Sequence, residues 1–284
     1  MEERASPVQV HAWRPPIAGI REVLHASFVD HAFPRHSHDT WTLFIVDAGA
    51  VRYDLGRHAR VAAPTMVSTL PPHVAHDGRP AVEGGYRMRV LYLERPWLPD
   101  RLVGPAVDRP FVEDATLRSR VEAVHEALSE PDGALEAETR LHLVTERIAV
   151  LLAGSPRDAP PGRPPRRDLA EAVRAQLDAS LFEAVSIAAI AGDLGTRPGT
   201  AARAFRETFG IPPHAYVLGR RLEAARARIL EGLPLADVAA STGFADQAHL
   251  TRRFKRLSGT TPGHYAARSS DDARGTSCVP IRPT

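Results

Sequence analysis

The chain has a single cysteine, Cys278, among its 284 residues. One cysteine cannot form an intramolecular disulfide, so a disulfide-stabilised scaffold is excluded. Long hydrophobic runs are also missing, because the longest, such as residues 43–46, fall far short of the ~20 residues that a membrane-spanning helix needs. No apolar segment of the kind found in signal peptides follows Met1. These absences predict a soluble cytoplasmic protein without membrane contacts.

Catalytic signatures are absent as well. The sequence contains no G-x-S-x-G elbow, no P-loop and no dinucleotide-binding fingerprint, and its one cysteine lies in a polar C-terminal segment. The protein is therefore predicted not to be an enzyme.

The charge is nearly balanced overall, at +2, but it is unevenly distributed along the chain. Residues 1–165 carry 19 arginines against 22 acidic residues, whereas residues 166–268 carry 15 basic residues against 10 acidic ones. A basic segment of this kind indicates a polyanionic partner. A chain of this length also predicts two domains, since one core rarely organises so many residues.

A proline-rich stretch marks the boundary between the two predicted domains. Residues 154–165 hold five prolines in twelve positions and no apolar periodicity, which is typical of a semi-rigid linker. We therefore predict a first domain over residues 1–153, a second over 166–268 and a flexible tail over 269–284.

The first domain reads as short strands followed by two helices. The strand-like stretches are 40–46, 51–55, 66–70 and 86–93. Their spacing is typical of an all-β sandwich or barrel. Residues 114–130 and 134–153 then place apolar side chains at helical spacing, which predicts two amphipathic helices. Their apolar stripes suit either packing on their own domain or a homodimer contact, and both readings stay open here.

The second domain contains an internal repeat. Residues 195–216, GTRPGTAARAFRETFGIPPHAY, align with residues 243–265, GFADQAHLTRRFKRLSGTTPGHY, once one residue is inserted after Gly243. Tyr216 and Tyr265 close the two copies, 49 positions apart. A short helical pattern precedes each copy, and tightly joined helix pairs in a basic segment are typical of a helix-turn-helix. The sequence therefore predicts two helix-turn-helix units in an all-α domain.

The second helix of each unit carries the candidate DNA contacts. In the second copy Asp246 is placed to cap the helix, and Leu250, Phe254 and Leu257 form its core stripe, so the opposite face points outward. Arginine and glutamine match the edges of guanine and adenine, and basic side chains suit phosphates. The predicted DNA-binding residues are Gly199, Thr200, Arg203 and Arg206 in the first copy and Gln247, Thr251, Arg252, Lys255 and Arg256 in the second.

The first copy has fewer side chains for base readout than the second, and a predicted helix joins the two copies. Gly199 and Ala202 offer no side chain for base readout, so Arg203 is the strongest candidate in the first copy. Residues 213–231 predict a continuous helix about 28 Å long. Because successive major grooves on one face of DNA lie ~34 Å apart, such a helix can direct both units to one side of the duplex.

This arrangement resembles the DNA-binding domain of the AraC/XylS family of bacterial transcription regulators. The resemblance covers about 100 residues and includes the segment RRLEAAR at 220–226. It departs from the family pattern at Arg197, where the family usually has a serine-like cap, and at Pro198 and Gly199, where it usually has helix-favouring residues. The resemblance implies operator DNA as a partner and names RNA polymerase as a further candidate.

The first domain resembles the cupin-like effector domain of the same family, through PRHSHDTWTLFIVDAGAVRYDLG and TLPPHVAHDG. The fold class implied is α+β with two domains: a cupin-like β-barrel with a C-terminal helix pair, then the all-α domain. In cupins such segments supply metal ligands from His36, His38 and His76. The carboxylate ligand usual a few residues beyond the histidine pair is missing, so we predict no metal and no cofactor.

These histidines are instead predicted to line an effector pocket together with nearby aromatic residues. The full set is His36, His38, Trp41, Tyr53, His76 and Tyr86. The function predicted is that of a DNA-binding transcription regulator controlled by a small-molecule effector. Two alternatives remain: a metal-dependent cupin enzyme with an accessory DNA-binding module, and a constitutive DNA-binding protein whose β domain only assembles subunits.

Overall fold

The computed structural model describes residues 8–56, 58–154, 166–184 and 186–265. Its N-terminal half is built mainly from antiparallel strands. The strands are Gln9–Trp13 (β1), Ile20–Phe28 (β2), Phe33–His36 (β3), Trp41–Gly49 (β4), Val51–Leu55 (β5), His58–Ala62 (β6), Met66–Leu70 (β7), His76–Pro80 (β8), Tyr86–Leu93 (β9) and Phe111–Glu113 (β10). The four predicted strands correspond to β4, β5, β7 and β9, so that part of the prediction is confirmed.

The strands form two sheets and not a closed barrel. One sheet has the order β1-β2-β9-β4-β7-β10, and the other has the order β3-β8-β5-β6. A single hydrophobic core joins the inner faces of both sheets, with Leu24, Phe44 and Tyr53 among its members. The predicted barrel is therefore an open two-layer structure, in which packing and not strand pairing connects the layers across the described residues.

The larger sheet packs on helices with its other face. These helices are Val103–Asp108 (α1), Ala115–Ser129 (α2) and Ala134–Ala153 (α3). The helices α2 and α3 confirm the predicted helix pair. Side chains along a strand alternate between faces. In β4, accordingly, Trp41, Leu43 and Ile45 face the helices, whereas Phe44 and Val46 face the interior between the sheets.

The C-terminal half is helical throughout its described residues. Its helices are Arg167–Ala179 (α4), Ile187–Asp193 (α5), Pro198–Phe209 (α6), Pro213–Leu230 (α7), Leu235–Ser241 (α8) and Gln247–Ser258 (α9). Asp246 caps α9 through its side chain, as predicted, and Ser186 caps α5 in the same way. Gly210 and Gly259 end α6 and α9 in the left-handed conformation, at φ 75° and 74°, so the repeat extends to the helix caps.

The two halves pack directly against each other. The core between the sheets continues into the C-terminal half through residues of α7 and α9, among them Leu222 and Phe254. The second helices of the two units, α6 and α9, are called the recognition helices, and the C-terminal ends of both contact the N-terminal half. A Cβ atom on Gly259 would lie 2.7 Å from Cε1 of Phe28, and a Cβ atom on Gly210 would lie 3.2 Å from the Cβ of Ala75. The N-terminal half therefore contacts both helix-turn-helix units.

The remaining predictions concern the linker, the tail and the absence of a membrane-spanning helix. The predicted linker 154–165, apart from Gly154, and the predicted tail 269–284 lie outside the described residues. Among the helices of the described chain, none is long and apolar enough to cross a membrane.

Candidate nucleic-acid interface and effector cavity

The second recognition helix, α9, presents a polar face built by its cap and core stripe. Asp246 accepts a hydrogen bond from the backbone N–H of His249, and Leu250 and Phe254 are fully buried. This anchoring turns the opposite face outward. Gln247, Arg252, Lys255 and Arg256 are exposed there and Thr251 is half-buried, as the sequence pattern predicts for a DNA-facing surface.

The first recognition helix, α6, has the same construction with fewer polar side chains. Ala201 and Phe205 are fully buried, and Arg203, Arg206 and Gly199 are exposed. Thr200 is half-buried. Arg197 occupies the cap position without a side-chain hydrogen bond, and Pro198 begins the helix, so this helix starts less firmly than α9.

The basic side chains on both recognition helices are free to contact a partner. Within the described part of the chain, no ion pair engages the cationic groups of Arg203, Arg206, Arg252, Lys255 or Arg256. Elsewhere in the same half, arginines are tied up: Arg220 and Arg226 bind carboxylates and Arg221 donates to three backbone carbonyls. Arg220 and Arg226 thus bind across the domain contact and Arg221 binds within the C-terminal half, whereas the basic residues of α6 and α9 named above have no ion pair in the described chain.

A cavity of about 100 Å³ lies between the two sheets and the C-terminal half. Its wall is largely apolar, with Leu24, Phe44 and Val90 among the contributing side chains. Five of the six predicted pocket residues, namely His36, His38, Tyr53, His76 and Tyr86, also line it. The structure therefore brings together residues that are spread over 50 positions of sequence.

Trp41 is the exception, and its prediction as a pocket residue is wrong. It lies on the outer face of β4, fully buried against the helices, and its indole N–H donates to the backbone carbonyl of Leu98 over 2.9 Å. The alternation of side chains along a strand places it on the opposite side of the sheet from Phe44 and the cavity.

The three histidines of the cavity form one compact cluster. His36 and His76 face each other across the β3–β8 pair, and His38 follows two residues after His36. One ring nitrogen from each lies within 4.8 Å of the others, and the two Nε2 atoms of His36 and His38 are 3.2 Å apart. Burial lowers the pKa of His36 and His38 to about 3, and that of His76 well below its usual value, so all three rings are neutral at neutral pH.

The C-terminal half closes the cavity with charged and polar side chains that sequence reasoning did not assign to it. Glu223 and Arg226 lie on α7, and Tyr265 follows α9; all three line the cavity. Glu22 of β2 accepts hydrogen bonds from both Arg226 and Tyr265. Glu223 and Arg226 are spaced three apart next to the buried Leu222, which was the available sequence signal that they face inward.

Glu223 is held by several donors at the domain contact. Its Oε1 atom is 2.9 Å from Nδ1 of His38 and 3.3 Å from the backbone nitrogen of Asp39, and its Oε2 accepts from Arg220 over 2.9 Å. Burial raises the pKa of Glu223 to about 7, against the opposing influence of the neighbouring arginines.

Both halves of the chain match models of known protein families. Residues 19–144 match the AraC-like ligand binding domain, and residues 167–268 match a helix-turn-helix domain. The chain is 42% identical over 62 residues to LumQ of Photobacterium leiognathi, described as a transcriptional regulator, which is 22% of this chain and 25% of that one. It is 33% identical over 81 residues to an AraC-like transcription regulator of Streptomyces antibioticus, or 28% of this chain and 27% of that one. The alignments thus span about a quarter of each relative.

Two solved structures superpose on this chain over nearly its whole length. An apo ToxT variant from Vibrio cholerae superposes with a TM-score of 0.60 at 12% identity, covering 94% of this chain and 99% of that one. ToxT with a bound unsaturated fatty acid superposes at 0.55 and 13% identity, covering 94% and 97%. These likenesses show a shared two-domain fold. The two domain matches, which together cover most of the chain, show that it belongs to the AraC/XylS family of transcription regulators.

Proposed function

We propose that this protein is a DNA-binding transcription regulator with no catalytic reaction of its own, acting in the cytoplasm. The observation that carries the proposal is the exposed face of α9, which presents Gln247 together with Arg252, Lys255 and Arg256, three basic residues that have no ion-pair partner among the described residues. Such side chains combine base-edge readout with phosphate contacts. The helix α6 of the first unit adds Arg203 and Arg206, which are also exposed.

The DNA-binding proposal is testable without knowing the target sequence. Selection of duplexes from a random pool with the purified chain should enrich one sequence family. Fluorescence anisotropy should then show tighter binding to the selected duplex than to its scrambled version, with a difference that grows when salt is raised. Equal affinity for both duplexes at every salt concentration would overturn sequence-specific regulation.

We further propose that a small apolar molecule bearing one or two polar groups occupies the cavity and controls DNA binding. One hydroxyl in the cavity wall supports this, since that of Thr42 is buried and lacks a hydrogen-bond partner among the described residues. A buried unpartnered hydroxyl is costly, and a bound polar group would satisfy it. ToxT, which shares the fold, has been solved with an unsaturated fatty acid bound, which supports an apolar acid as the effector class.

The shared wall of the cavity supports the coupling to DNA. Leu222, Glu223 and Arg226 belong to α7, the helix that joins the two helix-turn-helix units, so an occupant of the cavity contacts the DNA-binding half directly. An effector shifts a conformational equilibrium only by its differential affinity for the two states, and a tenfold regulatory range requires about 1.4 kcal/mol of coupling.

Two matched variants test the effector site. Unsaturated fatty acids of graded length serve as probes in titration calorimetry, with and without the selected duplex. Thr42→Val should weaken binding of the best probe by up to about tenfold, because one hydrogen bond is lost. Thr208→Val is the control, since Thr208 also carries a buried unpartnered hydroxyl but does not line the cavity. By reciprocity, the duplex must change probe affinity by the factor with which the probe changes duplex affinity.

We also propose that α3 mediates a homodimer. Leu135, Leu143 and Val150 are exposed by 76%, 48% and 64%, and they lie toward one side of the helix. An exposed apolar stripe beside a packed core marks a contact surface. Val150→Glu should convert a dimer into a monomer in light-scattering chromatography, whereas Glu138→Gln, at a half-buried position of the same helix, should leave the mass unchanged. A monomeric native chain at high concentration would contradict this.

A further inference from the structure

The three histidines of the cavity share one tautomer. The Nδ1 atoms of His36 and His76 lie 2.7 Å and 3.0 Å from backbone carbonyl oxygens, and Nδ1 of His38 lies 2.9 Å from the carboxylate of Glu223. Burial keeps the rings neutral and holds the pKa of His36 and of His38 at about 3. Carbonyl and carboxylate oxygens accept and do not donate, so the single hydrogen of each ring lies on Nδ1.

This tautomer makes the histidine cluster a set of hydrogen-bond acceptors. Each Nε2 atom carries a lone pair and no hydrogen. The Nε2 atoms of His36 and His38 are 3.2 Å apart, which is hydrogen-bond distance, and no hydrogen lies between them. Two lone pairs at this distance repel each other, and an O–H group of a bound molecule would supply the missing donor. A carboxylate or an ether oxygen would only add another acceptor.

The charged side chains near the cluster neutralise one another. Three arginines and three carboxylates form ion pairs there: Arg226 with Glu22, Arg21 and Arg220 with Asp39, and Arg220 also with Glu223. Burial raises the pKa of Tyr92 and of Tyr265, so both hydroxyls are uncharged at neutral pH. The paired side chains therefore carry no net charge.

Two further charged groups near the cluster point elsewhere. Arg35 does not line the cavity, and it donates to two backbone carbonyls. Asp77 follows His76 on β8, so its side chain lies on the other face of the sheet, where it accepts from the backbone N–H of Asp54. Among the described residues, a carboxylate or an ammonium group beside the three rings would find no unpaired opposite charge, and burying such a group is costly.

We propose that the cavity selects an effector with an uncharged hydroxyl head group, whose O–H donates to the cluster of His36, His38 and His76. The inference rests on the effector site proposed above and narrows the chemistry of its ligand. An aliphatic alcohol and an undissociated carboxylic acid both present this group. At neutral pH a carboxylic acid, with a pKa of about 4–5, is almost wholly ionised, so the alcohol is the stronger ligand.

The size of the cavity and a second polar contact refine the class. An apolar cavity of about 150 Å³ holds benzene, so the 100 Å³ found here suits a chain of about four to six carbons. Thr42 pairs with Tyr92 across β4 and β9, and the Tyr92 ring centroid is 5.2 Å from that of His38. The unpartnered Thr42 hydroxyl can thus donate to the ligand oxygen that donates to the cluster.

Pentanol, butyl methyl ether and butanoic acid test the head group, because they contain equal numbers of non-hydrogen atoms. Titrations of the whole chain with isotope-labelled histidine, followed by nuclear magnetic resonance, give the affinities and report the hydrogen bonding of each ring nitrogen. Pentanol should bind about tenfold more tightly than the ether and shift the Nε2 resonances of the cluster. A cavity that recognises only the apolar chain would bind the ether at least as well as the alcohol.

The acid separates the two sources of the hydroxyl group. Its affinity relative to that of pentanol should fall about tenfold for each pH unit from pH 6 to pH 7.5, because only the undissociated form binds. Pentanol serves as the control, since it does not ionise and therefore measures the pH dependence of the protein itself. That dependence includes the ionisation of Glu223, whose pKa burial raises to about 7.

One variant connects the preference to the cluster. His76→Leu removes an acceptor but keeps an apolar side chain, so it should reduce the preference for pentanol over the ether. His73→Asn is the control, because His73 does not line the cavity and asparagine tolerates its positive φ of 62°. Circular dichroism checks that each variant folds, and the comparison of probes on the native chain stands without the variants.

The outcomes distinguish this inference from the effector site on which it rests. Equal binding of pentanol and the ether, tighter binding of pentylammonium than of pentanol, or an acid-to-alcohol affinity ratio independent of pH would overturn the hydroxyl head group and leave the effector site in place. An unchanged preference in a folded His76→Leu variant would overturn the role of the cluster. Failure of every probe to bind would overturn the effector site itself.

Discussion

His38 donates its Nδ1 hydrogen to Oε1 of Glu223 over 2.9 Å, and this hydrogen bond joins the β layers to the helix that links the two DNA-binding units. Both side chains are buried, with exposed fractions of 8% and 9%. An effector in the cavity would thus contact His38, whose hydrogen-bond partner already belongs to the DNA-binding half. The connection is short enough that no separate relay is needed between the two sites.

The first prediction concerns the division of labour on α9. Arg252→Ala should cost about 1–3 kcal/mol of DNA-binding free energy and relax the preference at one base pair, because it removes a base-edge donor. Arg256→Ala should weaken binding to all sequences alike and lower the salt slope by about one, because it removes a phosphate contact. Anisotropy titrations on selected and scrambled duplexes at several salt concentrations measure both effects. An unchanged base preference after Arg252→Ala would refute the assignment.

A second prediction is that the two halves of the operator differ in stringency. Gly199 and Ala202 cannot read base edges, so the half under α6 should tolerate more substitutions, with Arg203 responsible for most of its remaining preference. A saturation-mutated duplex scored for binding gives the information content of each half. Arg203→Ala should lower the information content of the operator half under α6, and Arg206→Ala should leave it unchanged. Equal information in both halves would contradict this view of the repeat.

The third prediction concerns how much two ion pairs across the domain contact, one buried and one exposed, stabilise the folded chain. Arg226→Ala should lower the free energy of unfolding by about 3–5 kcal/mol, because it leaves the carboxylate of Glu22, 5% exposed, without its cationic partner. Arg14→Ala breaks the pair between Arg14 and Glu231, which also crosses the domain contact but is half exposed, and it should cost about 1 kcal/mol or less. Urea denaturation measures both changes, and similar costs would mean that burial does not govern this contact.

A fourth prediction follows from the buried pair of His25 and His125, whose ring nitrogens lie 3.1 Å apart. Burial lowers the pKa of His25 from 6.5 to about 3 and that of His125 well below 6.5. Between these values the unfolded chain binds protons that the folded chain does not, so stability falls as the pH drops below 6.5. Each such histidine contributes about 1.4 kcal/mol per pH unit.

The variant His125→Asn isolates one of these contributions. Its free energy of unfolding, measured in urea from pH 7 to pH 4, should fall less steeply than that of the native chain by about one proton's slope. Parallel curves for the two proteins would show that His125 does not titrate differently in the folded and unfolded states.

The repeat was predictable from sequence because its signals are local. Asp246 as a cap, the stripe of Leu250 and Phe254, and Gly259 as a terminator all act within one helix, and the structure places α9 where they indicate. The same holds for the helix pair α2 and α3, whose apolar spacing sets their buried faces. Helix periodicity and capping depend on residues a few positions apart, so the pattern is complete within the segment.

The strands were harder to predict because their stability depends on partners far away in sequence. β8, with the sequence HDGRP, has little strand character of its own and exists through pairing with β3 and β5. The prediction that Trp41 lines the cavity was wrong for a related reason. β4 is apolar on both sides, so its sequence contains no alternation that tells which face meets the cavity.

By itself, the sequence determined the fold family, the two helix-turn-helix units and the three imidazoles that gather in the cavity. It also showed that residues 40–43, a few positions beyond the His36 and His38 pair, contain no carboxylate, which argued against a metal. Only the tertiary structure placed Glu223 beside His38, through the packing of α7 on the β layers. The reason is physical: periodicity and capping are local properties of the chain, whereas the hydrogen bond between His38 and Glu223 exists only when the two halves of the chain pack together.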